Sequence, residues 1–352
     1  MKFIQFFVFL GVALAACSSE EDVTAAAVTL AEFSSEDVVE ALHNVADAVE
    51  IEDEVANCDV TPMTTNTDNP SDWVHIPAGN FVMGCIPERD GECENDELSA
   101  RCITISKPFE MMRTEVTRRM FRDAFGDEIL ENIASSFDAY CAEDNCPMTS
   151  MSWTDGILLA NVLSEQEGLE PAYTIENFDL SSYWEDEVEE RDARVTWNRE
   201  ANGYRLPTEA EWRYAARGGE NYRYAGSNDI LEVAWINANS PDGPQPVGQK
   251  KPNGVGLYDM TGNQWEWVWD ISHGYEHMPY ENISSIDPSG PTEVIPIGPQ
   301  GAPARRDCGG AWNDTGELEE EAALAAIVRR NNTLLGSAYE PMGHRLIRPI
   351  DP

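Results

Sequence analysis

Apolar and polar positions divide the chain into parts of very different character. The first residues, MKFIQFFVFLGVALAAC, are apolar from Phe3 to Ala16 behind a single lysine. That run is too short to span a bilayer comfortably and has the shape of a signal peptide. An acidic, alanine-rich stretch follows. Within it, SSEDVVEALHNVADAVE sets Val38, Leu42, Val45 and Val49 on one helical face, with Ser34 as cap and Asp37 three residues on. TPMTTNTDNPSD, rich in Thr, Asn and Pro, then reads as a linker.

The pattern changes at Trp73. WVHIPAGNFVMG alternates around Pro-Ala-Gly-Asn and predicts a hairpin. TEVTRRMFRDAF predicts a helix capped by Thr114 or Thr117. SWTDGILLANVLSEQEGL predicts a second, capped by Ser152 or Thr154, with Gly168 just past its end. Residues 177–193, NFDLSSYWEDEVEERDA, have no period and read as an acidic insertion. RVTWNREANGYRLP holds two short β-type runs around Asn202-Gly203. PTEAEWRYAARGG is a third helix: Thr208 and Glu211 form a capping box, Gly218-Gly219 stop it, and Trp212, Ala215 and Ala216 line its inner face. Beyond it the chain is rich in Gly, Pro, Asn and Trp and reads as loop-dominated. The expected class is α+β, neither a Rossmann fold nor a helical bundle. The expected organisation is a signal peptide at 1–16, an acidic stalk and linker at 17–72, and one folded domain at 73–350.

Composition narrows the partners. The 352 residues carry 64 acids against 23 Lys and Arg, a net charge of −41. Such a chain repels nucleic acid and anionic membrane surfaces. Because the acids are spread along the whole length, a solvated acidic surface accounts for most of the charge; divalent-cation binding is the sharper alternative. Leu14-Ala15-Ala16-Cys17 resembles a bacterial lipoprotein box, in which the Cys17 thiol takes up lipid and becomes a membrane anchor. No Asp follows Cys17, which by analogy favours the outer membrane. In an exported chain cysteines pair. Cys85 with Cys93, and Cys141 with Cys146, have spacings suited to local disulfides. Cys58, Cys102 and Cys308 remain, and three thiols leave at least one unpaired. No zinc spacing occurs; His273 and His277 fall in a loop-like stretch.

Several stretches, taken in order, carry a resemblance: IPAGNFVMG, TEVT, NGYRLPTEAEWRYAARGG, PVGQKKPNGVGLYDMTGNQWEW and CGGAW. They resemble the formylglycine-generating enzyme family, the sulfatase-modifying factors, from about Trp73 to Arg348. The resemblance implies a variant C-type-lectin-like fold with little regular secondary structure. It also implies, for active members, a cysteine pair that binds copper and oxidises a substrate cysteine to formylglycine. The family includes envelope lipoproteins and receptors too, so the fold alone does not fix the activity.

The resemblance places a structural calcium site at Asp259, Gly262, Gln264 and Glu266, a hard-oxygen set of the kind calcium takes. The alternative is that Glu266 only caps loop amides. A second family calcium site falls on Ala234-Trp235-Ile236 and looks degraded. Arg205, Glu209 and Glu211 read as caps and ion pairs, and Arg345, in Gly343-His344-Arg345, as one half of a structural pair. The copper thiolates of the family lie two and seven residues after the aromatic of the GGSW-like motif, at Asp314 and Glu319 here. Carboxylates are hard and do not hold Cu(I) in a dithiolate geometry, so copper is not expected. Cys308 precedes the glycines, and a bridge to Cys102 or Cys58 is its expected fate. The expectation is therefore an envelope lipoprotein that binds a protein, peptide or glycan at a groove near Trp312, Asp314 and Glu319. The alternative is a formylglycine-generating oxidase.

Overall fold

Three of the described helices start on hydroxyl caps. In the computed structural model, which describes residues 55–63, 71–91, 93, 100–134, 141–176, 195–272, 284–290, 304–329, 331–334 and 341–350, three caps form as side-chain chemistry dictates. Thr117 starts the helix Arg118–Phe125 by accepting from the Met120 amide. Ser152 and Asp155 form a reciprocal capping box at Trp153–Gln166, and Thr208 and Glu211 form another at Glu209–Arg217, which ends on left-handed Gly218. The signal peptide, Cys17, the helix expected at 34–49, the insertion at 177–193 and His273 and His277 lie outside the described residues.

In chain order the helices are α1 (Pro87–Asp90), α2 (Arg118–Phe125), α3 (Asp127–Ala134), α4 (Trp153–Gln166), α5 (Glu209–Arg217), α6 (Ile230–Val233) and α7 (Leu318–Leu324). The strands are β1 (Trp73–Ile76), β2 (Gly79–Met83), β3 (Arg101–Ile105), β4 (Phe109–Met112), β5 (Tyr173–Ile175), β6 (Val195–Trp197), β7 (Trp265–Ser272), β8 (Ala304–Cys308), β9 (Asn331–Leu334), β10 (Met342–Gly343) and β11 (Ile347–Pro349). They form four small sheets: β1-β4-β11, β10-β7-β8-β9, β2-β3 and β5-β6. The fold is α+β and loop-rich.

The hairpin expected at Trp73 does not form. β1 pairs with β4, and β2 pairs with β3, so Pro77 and Ala78 join two sheets instead of turning one ribbon. Each strand has a distant partner that buries its apolar face. Residues 58–63, within the stretch expected to be stalk and linker, also lie against the domain. Cys58 is bonded to Cys102, Thr61 exchanges hydrogen bonds with Asn80, and Met63 packs on the core.

β7 divides the interior. Its alternation sends Trp265 and Trp267 to a cluster with Trp153, Tyr204 and Phe121, while Val268 points to a second cluster with Trp212, Ile103 and Ile105. Helix α5 is riveted to its surroundings by buried ion pairs. Arg213 meets Glu209 at 2.8 Å and Arg217 meets Asp90 at 2.7 Å, and Arg205 pairs with Glu211 at 2.7 Å. These acids and arginines are structural, as their positions at a helix start suggest.

Six cysteines are joined as Cys58–Cys102, Cys85–Cys93 and Cys141–Cys146. The expected bridge from Cys308 to Cys102 or Cys58 is not made. On β3, Ile103 and Ile105 face the core and Cys102 faces away from it, whereas Cys308 is wholly buried in the core beside the Trp212 cluster. Three disulfides suit an oxidising compartment.

His344, completely buried, sits against α4 with its Nε2 2.9 Å from the Ser152 carbonyl. A methyl group on Gly156 would collide with the imidazole at 2.4 Å, which is why α4 carries glycine there. Burial pushes the imidazole down to about 4. For a base whose folded pKa is depressed, stability is complete above the ordinary value near 6.5 and is lost as pH falls toward 4. Between pH 7.5 and pH 5 the protein should lose about 2 kcal/mol through this residue. Chemical denaturation of His344→Phe should lack that increment; an unchanged pH dependence would assign the acid sensitivity elsewhere.

Candidate functional site

The turn before β7 gathers several buried charges. Asp259 and Asn263 have positive φ, 57° and 62°, and Gly262 has 73°; together they coil 259–263 into a tight loop. A Cβ on Gly262 would lie 2.4 Å from the Trp235 carbonyl, so only glycine fits. The loop leads into Glu266, whose carboxylate takes Arg345 Nη2 at 2.8 Å and Nε at 3.0 Å, and Trp212 Nε1 at 2.6 Å. Arg345 spends its other donors on the carbonyls of Met112 and Tyr258, at 2.9 and 2.8 Å. One guanidinium thereby ties β4, β7, the 259 loop and the β10–β11 connection together.

Two more carboxylates share this interior. Glu115, from the TEVT stretch, accepts from Asn263 Nδ2 at 2.7 Å, and Asp259 accepts from the Gly248 amide at 2.7 Å. The second oxygen of each, Glu115 Oε1 and Asp259 Oδ1, is buried without a hydrogen-bond partner. Burial, then the neighbouring Asp259 and Glu266, hold Glu115 well above the usual carboxylate range. Burial raises Asp259 to about 6. Three acids against one guanidinium leave an excess of negative charge.

Of the expected calcium set, Asp259 offers a bare hard oxygen in that electronegative interior, which fits a divalent cation. Gly262 contributes only backbone. The Gln264 carboxamide is buried and unpartnered, pressed against Gly343. Glu266 is engaged by Arg345 and Trp212, so it neither caps loop amides nor stands as an uncommitted donor. Among the described residues no three His, Cys, Asp or Glu side chains converge as a metal-ligand group. A calcium ion here would depend on main-chain oxygens beside Asp259. Beside Ala234-Trp235-Ile236 the Lys250 ammonium lies 4.0 Å above the Trp235 ring and donates to the Leu231 carbonyl at 2.7 Å.

The CGGAW stretch folds over the same strand. Gly309 and Gly310 have φ of 105° and 75°, and a Cβ on Gly310 would strike Ala325 at 2.7 Å. This turn brings the Trp312 amide to the Asn263 carbonyl at 3.1 Å. Asp314 folds back: one oxygen accepts from the Ala311 amide at 2.8 Å and the other from Trp265 Nε1 at 3.1 Å. Burial raises its pKa, offset in part by those two donors. Glu319 stands exposed on the first turn of α7 beside exposed Glu317 and Glu320. Glu321, buried on the same helix, holds the Ala238 amide at 3.0 Å and Asn237 Nδ2 at 3.1 Å. The expected groove residues are thus not alike. Trp312 is buried and Asp314 is spent on the loop itself, while Glu319 faces water. Asp314 and Glu319, where the thiolates of active family members were expected to fall, serve different surroundings, and Cys308 is the one thiol outside a disulfide among the described residues.

Two acids of this region escape sequence reading. Glu115 lies in a motif that marks a helix start, and Asp307 lies in a strand that charge alone would place at the surface. Only the alternation of β8 hints that Asp307 faces the tryptophans.

Comparisons with known proteins agree with this architecture. Residues 59–350 match the sulfatase-modifying factor enzyme 1-like domain, and the chain belongs to that family. The chaperone protein LppX of Paenibacillus barcinonensis is 33% identical over 256 residues, covering 67% of this chain and 84% of that protein. The formylglycine-generating enzyme of Bos taurus is 30% identical over 258 residues, 63% of each chain. Among solved structures, Treponema denticola variable protein 1 superposes with a TM-score of 0.61 at 26% identity, covering 79% of this chain and 95% of that one. No helix among the described residues is long and apolar enough to cross a membrane.

Proposed function

We propose that this chain is an envelope lipoprotein whose family domain binds a protein, peptide or glycan partner and has given up thiol oxidation. The observation that carries the reading is the fate of the two thiolate positions. Asp314 is built into the loop through Trp265 and Ala311, and Glu319 is a surface acid. Cu(I) needs soft donors, and a carboxylate cannot exchange a thiol with a substrate cysteine. The name of the Paenibacillus relative, a chaperone, supports a binding role. The exposed acids of α7 favour a cationic face on the partner. The similarity to formylglycine-generating enzymes keeps oxidation as the competing reading. Purified protein loaded with Cu(I) and incubated with a cysteine-containing peptide should leave the peptide mass unchanged, whereas conversion to the aldehyde would establish the oxidase.

Calcium is the cofactor of this reading. Asp259, with main-chain oxygens of Gly262 and Gln264, would hold it. The ion would supply positive charge to an interior that has three carboxylates and one guanidinium. Chelator should lower the melting temperature by about 5 °C or more; equal melting curves with and without chelator would remove calcium from the account.

Cys17 is the proposed lipid anchor, with the outer membrane as its site. Cys17→Ser should move the protein from the membrane fraction to the soluble one, and continued membrane retention would refute the anchor.

A further inference from the structure

Asp307 has no role in any contact described above, and its surroundings are unusual. It sits in the middle of β8, paired with Trp267 of β7 on one side and Asn331 of β9 on the other. It is wholly buried, neither carboxylate oxygen makes a well-aligned hydrogen bond, and the donors within reach are the neutral side chains of Thr333 and Asn331. The cations nearby are committed elsewhere. Arg305, on the same face of β8, lies over the Trp153 ring at 4.1 Å and donates to the Trp269 carbonyl. Arg306, the next residue, donates to Asn332. From β9 the side chains facing Asp307 are the neutral Asn331 and Thr333, and from β7 the indole of Trp267. From the loop after β8 the only charged neighbour is Asp314, another acid, itself influenced by Glu321 of α7. An ionised carboxylate placed there is faced by neutral donors, with Arg306 acting on it only through its charge, and an anion in an apolar interior is costly without a directly paired cation.

We propose that Asp307 is a proton-controlled latch under the loop that carries Trp312 and Asp314: neutral, it lets β8 and β9 close against the tryptophan face; ionised, it draws water in and loosens that face. Opening exposes the carboxyl and lets it ionise at its ordinary value near 3.8, whereas burial raises the closed form to about 7, with Thr333, Asn331 and Arg306 offsetting part of the effect. For an acid whose folded pKa is raised, stability is fully present below the ordinary value and is lost as pH rises to the folded one. The opening equilibrium therefore grows about tenfold per pH unit between roughly pH 4 and pH 7 and levels off above. That this movement bears on partner binding rests on the proposed function; the latch itself does not.

Hydrogen exchange of the full chain, corrected for intrinsic rates, reads the latch directly. Between pH 5 and pH 7 the amides of 304–314 and 331–334 should show an opening constant rising about tenfold per unit. Asp307→Asn, neutral at every pH and of the same shape, should stay flat and low. Infrared spectra at pH 5.5 should show protonated-carboxyl absorption whose Asp307 component the substitution removes, leaving that of Glu115 and Asp259. Identical exchange slopes in the two proteins, or a band unaffected by the substitution, would overturn the proposal. If Asp307→Asn does not fold, Asp307→Leu takes its place in both measurements.

Discussion

A buried carboxylate and a buried guanidinium organise this protein. Glu266 and Arg345 meet at 2.8 Å with side chains that are 1% and 0% exposed. Removing two ions from water costs several kcal/mol each, and the pair is tolerable only because both are fully hydrogen-bonded. Trp212 Nε1 completes the acid, and the Met112 and Tyr258 carbonyls complete the base. Each partner belongs to a different element: α5, β4, the 259 loop and the chain between β10 and β11. Among the described residues the strands form only small sheets, and this shared contact supplies what a continuous sheet would otherwise provide.

Once that centre is in place, the residues around it follow. The tight turn through Asp259, Gly262 and Asn263 is needed to bring Glu266 inward. The two-glycine turn of CGGAW is needed to lay Trp312 on that turn and Asp314 on Trp265. Asp314 therefore contributes to holding the loop, through Trp265 and the Ala311 amide.

Helix starts were legible in the sequence because their determinants are local. Ser152 and Thr208 meet the amides three residues on, whatever the rest of the chain does. The long motifs likewise announced the fold and the Arg345 pair. Pairing of strands was not legible. The alternation at Trp73–Met83 is right for two strands and wrong for a hairpin, because partners of β1 and β2 lie tens of residues away. β7 was hidden for another reason. WEWVWDIS is buried on both faces, so its alternation is one of tryptophan against acid and valine, not apolar against polar. The fate of Cys308 turned on a facing rule that needs the sheet in hand, and so did the burial of Asp307. Sequence reading placed Trp312, Asp314 and Glu319 together in one expected groove, but their burial separates them.

The claim on which the account rests is that Glu266 and Arg345 are coupled at the centre of the fold. A double-mutant cycle on Glu266→Gln and Arg345→Met, read by denaturant unfolding, measures that coupling. The account predicts that each single change costs about 3 kcal/mol or more and that the pair couples by about 2 kcal/mol or more, since the second change relieves the charge stranded by the first. Additive losses, or single losses below about 1 kcal/mol, would contradict it.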